Sequence, residues 1–409
     1  MPDPAIPPIL PPGRVPGHRF AASWLWRLLP RGMRRRWWLF RLPDLVVRHW
    51  PVPRRRRGLV VVRMDGIGDM VLFRGSLDHY AEAFDVAKED ITVVGCKSWG
   101  AVAGEVFADY RVLAIDEHRF AKRPGYRFRT ALAVRRLNAA VVVCDQFFRR
   151  AMMADSLVWL SAAPRSIVAL PYINEPIRGE FTWYLSQVTG VVDTGLYPTH
   201  EVIRHAAFVS AVAGRAVDPA PPRIAWRDRR PEIADGGPYV VLNPGSNEYG
   251  RRWPLRDYCA VARRVRDRGL RVVFVGSAKE KPDWDFMAEF GGDEGVIDLM
   301  GGTDLPGLLD VMRHAAAVLT NDTGPAHVAI ALGAPTLVVV GGGHFGSFVP
   351  YPDGVRPPHA RFVWEPMDCY HCFWRCPKRA TDRDSFPCVA AVPVDRVWGE
   401  LAQLLSERT

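Results

Sequence analysis

The stretch TNDTGPAHVAIALGAPTLVVVGG, residues 320–342, reads as a strand end, a turn, a short helix and a second strand. Asn321, Asp322, Thr323 and Gly324 stand at the helix entrance, where the first backbone N–H groups lack intrahelical partners. Pro325 suits the first helical position, which needs no amide donor. Such an entrance favours a phosphate, because free N–H groups and the positive end of the helix dipole face one point. His327 follows Thr323 by four residues, so both side chains can face that point from one side of the helix. The stretch predicts a diphosphate site.

Outward from it, the chain alternates valine-rich runs with helical segments. Upstream lie YVVLNPGS, a helix around DYCAVARRVRDRG, RVVFVGS and a helix through LPGLLDVMRHA. An earlier set begins at Gly58 with GLVVVRMDGIGDMVLFRGSLDHY and continues through ITVVGC, RVLAIDE and AAVVVCDQFF. Apolar runs too short for helices, alternating with helices, predict parallel strands buried on both faces. The proline-rich segment 218–238 separates the two sets. The expected organisation is an arm at 1–57, one Rossmann-like domain at 58–217 and the linker at 218–238. A second such domain follows at 239–392, and a closing helix at 393–409. Two doubly wound parallel sheets facing a central cleft place ligands beyond the carboxyl ends of the strands.

A chain of 409 residues with 48% hydrophobic and 24% charged residues has the composition of a soluble two-domain protein. It holds no run of eighteen apolar residues. The net charge of +10 is local, because residues 1–58 carry thirteen arginines against two aspartates. The rest is nearly neutral, so no nucleic-acid partner is expected of the globular part. The arm starts with the proline-rich PDPAIPPILPPGRVPG, expected to be extended or disordered. Trp24, Trp26, Trp37, Trp38 and Trp50 then alternate with arginines. This mixture suits an anionic membrane surface; helices packing on the body and a nucleic-acid arm are the alternatives. The arm lacks the uninterrupted apolar core of a signal peptide, which points to a cytoplasmic protein, peripheral on the inner membrane.

At the first strand end, RMDGIGDM offers Gly66 and Gly68 for a tight turn on the acceptor side. Val71 occupies the place of the third glycine of a dinucleotide fingerprint, which disfavours that cofactor. Asp69 opens the following helix; it either caps that helix or faces the cleft as a proton acceptor. In the second half, NPGSNEYGRRWP supplies Ser246 and Asn247 as donors and Arg251 as a planar fork for a diphosphate. Arg252 reads as a surface residue. VVFVGSAKE sets Gly276 and Ser277 at a strand end, with Glu280 positioned to accept from ribose hydroxyls. Asp283/Asp285 and Asp382/Asp384 form Asp-x-Asp pairs at about chance frequency and are assigned nothing.

Cys96, Cys144 and Cys259 are isolated and read as packing residues. Cys369, Cys372, Cys376 and Cys388, the insert at 369–388, have the close spacing of a metal knuckle. Four sulfurs favour structural zinc or iron, with His371 able to replace one; disulfides and free thiols are the alternatives.

GIGDM, NPGS with RRWP, and NDTGPAHVAIALGAPT resemble, in order and spacing over roughly 58–405, the heptosyltransferases, family 9 of the glycosyltransferases. The resemblance implies a GT-B fold with the acceptor on the first domain and a nucleotide-diphosphate sugar, typically ADP-heptose, on the second. It implies inverting transfer to a lipopolysaccharide or other glycan without a catalytic metal. Asp69 is then the general base, and Arg251 stands where the family has a phosphate-clamping lysine. Asp322, Thr323, Gly324 and His327 match diphosphate and sugar contacts, and Glu280 the ribose contact. The autotransporter heptosyltransferase branch is similar in binding iron through cysteines. A sugar-nucleotide isomerase of the same architecture and a non-catalytic nucleic-acid module are the rival readings.

Overall fold

The computed structural model describes residues 6–18, 20 and 35–407. Trp24 and Trp26 of the arm lie outside the described residues. The chain forms two compact units.

The first unit holds a seven-stranded sheet. Its strands are β1 (Ile9–Leu10), β2 (Leu59–Arg63), β3 (Ile91–Cys96), β4 (Arg111–Ile115), β5 (Val141–Cys144), β6 (Arg165–Ala169) and β7 (Gly190–Val192). The order is β1-β7-β6-β5-β2-β3-β4, parallel except for β1, which pairs antiparallel with β7. From β2 onward the chain follows the doubly wound order, reversing between β2 and β5. Val60, Val62, Val94, Val142 and Val168 form its core with Leu157, Leu160 and Trp183. Valine-rich strands fit here because both sheet faces are covered by helices.

The arm is woven into this unit. Ile9 and Leu10 add an edge strand where the sequence predicts extended or disordered chain. The helix Arg35–Arg48 buries Phe40 and Val47. It also carries Asp44 into a buried bidentate pair with Arg127, at 3.0 and 2.7 Å. An unpaired charge there would be costly, so the helix and its partner helix Pro124–Arg136 hold each other in register. Its outer face leaves Leu42 and Val46 exposed, at 75% and 54%.

The second unit holds β8 (Tyr239–Asn243), β9 (Arg271–Phe274), β10 (Val296–Asp298), β11 (Ala317–Asn321), β12 (Thr336–Val339) and β13 (Ala360–Val363). The order β10-β9-β8-β11-β12-β13 is all parallel, with Leu242 level with Leu319 and Phe274. The order reverses between β8 and β11, and that switch point opens a crevice at their carboxyl ends. The helix Leu255–Asp267 turns Tyr258, Val261, Ala262 and Val265 inward, and the closing helix Val394–Ser406 turns in Val397, Leu401 and Leu404. Linker residues Trp226 and Arg227 are tied to Asp310 of this unit at 2.8 Å each. The short helix Ile67–Phe73, early in the chain, also packs in this unit. Both sheets are doubly wound, and the fold is GT-B.

Candidate functional site

The carboxyl ends of β8 and β11 are stapled by Asn321, which is fully buried. Its Oδ1 accepts from the Trp253 amide at 2.9 Å and from the Tyr258 hydroxyl at 3.1 Å. Its Nδ2 donates to the Pro244 carbonyl at 2.9 Å. Asn321 is therefore scaffold, and it leaves the residues after it to face the crevice.

Thr323 caps the helix Gly324–Ala331 in an extended conformation, with Pro325 in the first turn and no side-chain cap on the leading amides. Its hydroxyl instead donates back to the Asn321 carbonyl at 3.3 Å. Asp322 is 5% exposed, and its carbonyl and Oδ1 both accept from Arg251 Nη2, the latter at 3.2 Å. Burial raises the Asp322 carboxyl above its ordinary pKa; Arg251 opposes this and the charge of Asp69 adds to it. Asp69 is thus close enough to act on Asp322. It lies half-buried in the first turn of Ile67–Phe73.

The close approach of that helix depends on two glycines. A Cβ on Gly68 would lie 2.8 Å from His327 Cδ2 and 3.2 Å from Gly324 Cα. One on Gly324 would lie 2.5 Å from Ile67 Cγ2. Gly68, expected on an acceptor-side loop, therefore packs on the diphosphate-type helix entrance. The sequence places it by chain order, whereas the helix packs by its glycine face. Gly66 stays exposed at the turn.

His327 is 4% exposed, with Nδ1 2.8 Å from the Tyr351 hydroxyl and its ring nearly parallel to that of Tyr351. Burial, then His200 and Arg251, push its pKa down to about 3, so the imidazole is neutral at pH 7.

Around the switch point a cavity of about 330 Å³ is lined by Ser246, Asn247, Arg251, Gly276, Ser277 and Glu280, with Thr323 and Gly324 on another wall. Ser246 Oγ is buried and has no hydrogen-bond partner among the described residues. Glu280 Oε2 already accepts from the Ser277 amide and hydroxyl at 2.7 and 2.8 Å. Asp322 and His327 stand behind the lining rather than in it. Sequence reading missed Thr303, Asp304, Leu305 and Leu308, which complete the wall. Their signal was present: Asp304 caps the helix Leu305–Arg313, accepting from Gly307 N at 2.8 Å, ahead of a first-turn proline.

In the first unit, a buried polar cluster at the end of β2 was also missed. Asp145 is fully buried, accepting from Arg63 at 2.7 Å and from the Tyr80 hydroxyl at 2.9 Å. Burial alone would raise its pKa, but Arg63 and His205 more than offset that and hold it well below the carboxylate range. Gln146 bridges this end to Asp65 at 2.8 Å, just before the Gly66 turn.

Cys369, Cys372, Cys376 and Cys388 line one small cavity of about 10 Å³, the size of a single atom or water. None forms a disulfide. Burial first, then the neighbouring thiols, raises the pKa of Cys388, whose sulfur also receives the Gly342 amide at 3.4 Å. The all-sulfur donor set and the cavity size fit one soft cation. Among the described residues, however, no three His, Cys, Asp or Glu side chains stand at metal-holding geometry. His371 is exposed and does not line the cavity.

Comparison with known proteins adds the following. The sequence model of glycosyltransferase family 9 (heptosyltransferase) matches residues 197–374. Over 177 residues the chain is 29% identical to lipopolysaccharide heptosyltransferase 2 of Salmonella typhimurium, covering 42% of this chain and 47% of that protein. The matched part spans between about a third and a half of the length of three of the curated relatives it matches. The structure of ADP-heptose LPS heptosyltransferase II from E. coli superposes with TM-score 0.61 at 17% identity, covering 86% of this chain and 99% of that one. The iron-containing dodecameric glycosyltransferase TibC from enterotoxigenic E. coli gives TM-score 0.52 at 14% identity, covering 87% of this chain and 78% of that one.

Proposed function

We propose, from the premise that this chain belongs to the heptosyltransferase-like family 9 of glycosyltransferases, that it moves a heptose-like sugar from a nucleotide diphosphate to a glycan acceptor. The observation that carries this reading is the switch-point cavity, where Arg251, Ser246 and the uncapped helix entrance at Thr323–Gly324 meet. ADP-heptose is the proposed donor, as the named specificity of the E. coli neighbour suggests. Leu305 and Leu308 offer an apolar wall for the base, and Glu280 Oε1 an acceptor for the ribose.

In the reaction, an acceptor hydroxyl attacks the anomeric carbon and Asp69 takes its proton. The bond from that carbon to the diphosphate oxygen breaks, and the electron pair leaves with the diphosphate. Attack from the opposite face inverts the anomeric centre. Fixed donors aimed at the departing charge do the stabilising: the Arg251 guanidinium and the helix-entrance amides. His327, behind the lining and tied to Tyr351, is neutral and adds no charge next to Arg251. Replacing Asp69 by Asn removes the proton acceptor at nearly constant shape. Turnover should fall by about 10²- to 10⁴-fold while ADP still binds. Undiminished sugar transfer by Asp69→Asn would reject the assignment.

Two further proposals concern the rest of the chain. The four thiols at 369–388 hold one zinc or iron that staples this loop; bound, it would neutralise the thiolates and fix the loop without entering the reaction. Residues 1–57 meet an anionic membrane surface at the cytoplasmic face, through exposed Leu42, Val46, Arg54, Arg55 and Arg57.

A further inference from the structure

The cysteine-rich segment reaches beyond its own cavity and forms the wall behind the turn that carries Arg251. The Trp374 ring lies 4.4 Å from the Arg251 guanidinium carbon, covering one face of it. Trp374 is stacked in turn on Phe386, 5.7 Å between centroids and 16° between planes. The Phe386 amide donates to the Gly250 carbonyl at 2.7 Å, closing a ring of contacts back to the residue before Arg251. Gly250 has to be glycine for this, since a Cβ there would lie 2.6 Å from the Phe386 ring. A third tie joins Arg379 to Glu248 at 2.8 Å.

Trp374 itself is held in an unusual backbone conformation. His371, Phe373 and Trp374 have φ of 67°, 54° and 60°, a left-handed run that bulky residues adopt only where their surroundings over-determine it. The surroundings here are the hydrogen bonds from His371 N to Gly342 O at 2.7 Å and from Phe373 N to Gly343 O at 3.0 Å, with cysteines on either side. The loop spends conformational freedom to place one indole, and that indole lies on the one cation lining the cavity among the described residues.

We propose that Trp374 is a positioning residue for the donor: it fixes the plane of the Arg251 guanidinium while Asp322 fixes one edge. This rests on reading Arg251 as a diphosphate ligand. With one face covered by Trp374 and Nη2 engaged by Asp322, Nε remains buried without a partner among the described residues. A planar fork set in advance loses less entropy on binding a diphosphate than a freely rotating side chain. Lysine has no face to stack, so the arrangement is specific to arginine at this position.

The test is calorimetric binding of ADP and of adenosine, which lacks the diphosphate. Trp374→Ala should weaken ADP by about five- to thirtyfold, the range of a partly desolvated cation–π contact, and leave adenosine within about twofold. Trp374→Leu keeps apolar packing without a ring and should behave like alanine, whereas Trp374→Phe should retain most of the ADP affinity. On an Arg251→Lys background, Trp374→Ala should cost little more, because the stacked plane is already gone. Equal weakening of ADP and adenosine, or no change in either, overturns the inference. If the unaltered chain binds neither, the donor-site reading itself fails, which is seen before any variant is made.

Discussion

Gly68→Ala tests whether the turn that carries Asp69 is positioned by its contact with the helix entrance. The added methyl would sit 2.8 Å from His327 Cδ2. That is about 0.7 Å short of the ~3.5 Å at which two carbons begin to attract. Neither side can yield easily. His327 is 4% exposed and tied to Tyr351, and the second contact, Gly324 Cα, is backbone. The helix Ile67–Phe73 must move instead, against buried Met70, Val71 and Phe73. Overpacking of this kind costs about 1–3 kcal/mol of stability. Asp69, adjacent to Gly68, moves with the helix, and a misplacement approaching 1 Å costs on the order of 10²-fold in rate. We expect kcat for sugar transfer to fall about 10- to 100-fold, with ADP affinity changed much less, because the cavity lining is mostly elsewhere. Steady-state transfer from an ADP-sugar, beside ADP calorimetry, separates the two. Gly75→Ala is the control: nothing lies within 4 Å of its Cβ and its φ is −62°. A folded Gly68→Ala protein with the rate of the Gly75→Ala control would refute the reasoning.

Three other outcomes follow from the same geometry. Arg251→Ala should lower ADP affinity by about 10- to 150-fold, the loss of a charge-assisted hydrogen bond, and an unchanged dissociation constant would remove the clamp. His327 is depressed to about 3 in the folded chain, against about 6.5 unfolded, so the unfolded chain takes up its proton first as pH falls. Its contribution is complete above pH 6.5 and is lost at about 1.4 kcal/mol per unit on acidification towards pH 3. Melting temperatures between pH 7.5 and 4.5 should therefore fall more steeply for the native chain than for His327→Gln; parallel slopes would contradict this. For the cysteine loop, elemental analysis of purified protein should find about one zinc or iron per chain, and a chelator should lower its melting temperature. Metal-free protein with an unaltered melting curve would dismiss the staple.

What the sequence revealed and what it hid divide along a physical line. Eight strands, β2 to β5 with β8, β9, β11 and β12, were legible because short valine-rich runs between helices suit buried parallel strands. By contrast, β6, β7, β10 and β13 are too short or too mixed with polar residues to carry that pattern. The helix entrance at Thr323 was legible because caps and first-turn prolines are local chemistry. The antiparallel edge strand Ile9–Leu10 was not, since two residues carry no periodicity and the pairing with Val191 and Val192 is distant in sequence. For the same reason Asp44 reads as one acid in a basic arm, and its burial against Arg127 is decided eighty residues away. Gly68 carried a signal that reads two ways: a tight turn or a close approach of two helices both ask for glycine. Only the position of Gly324 decides between them.

The charges around the cavity leave its anion binding to depend heavily on one arginine. Its acidic side chains are partly committed: Glu280 to the Ser277 amide and hydroxyl, and Asp304 to the Gly307 amide. Asp322 accepts from Arg251 and lies under a raised pKa, driven first by burial and then increased by Asp69. The Asp322 and Asp69 carboxylates thus act against one guanidinium. An incoming diphosphate adds negative charge to a region already carrying it. Binding is favourable only if the guanidinium meets it at short range and the helix-entrance amides share the load, because attraction between charges falls with distance while burial sharpens it. The position and plane of Arg251 therefore decide more than its charge does, and a lysine of equal charge at 251 should bind the diphosphate less tightly in this surrounding.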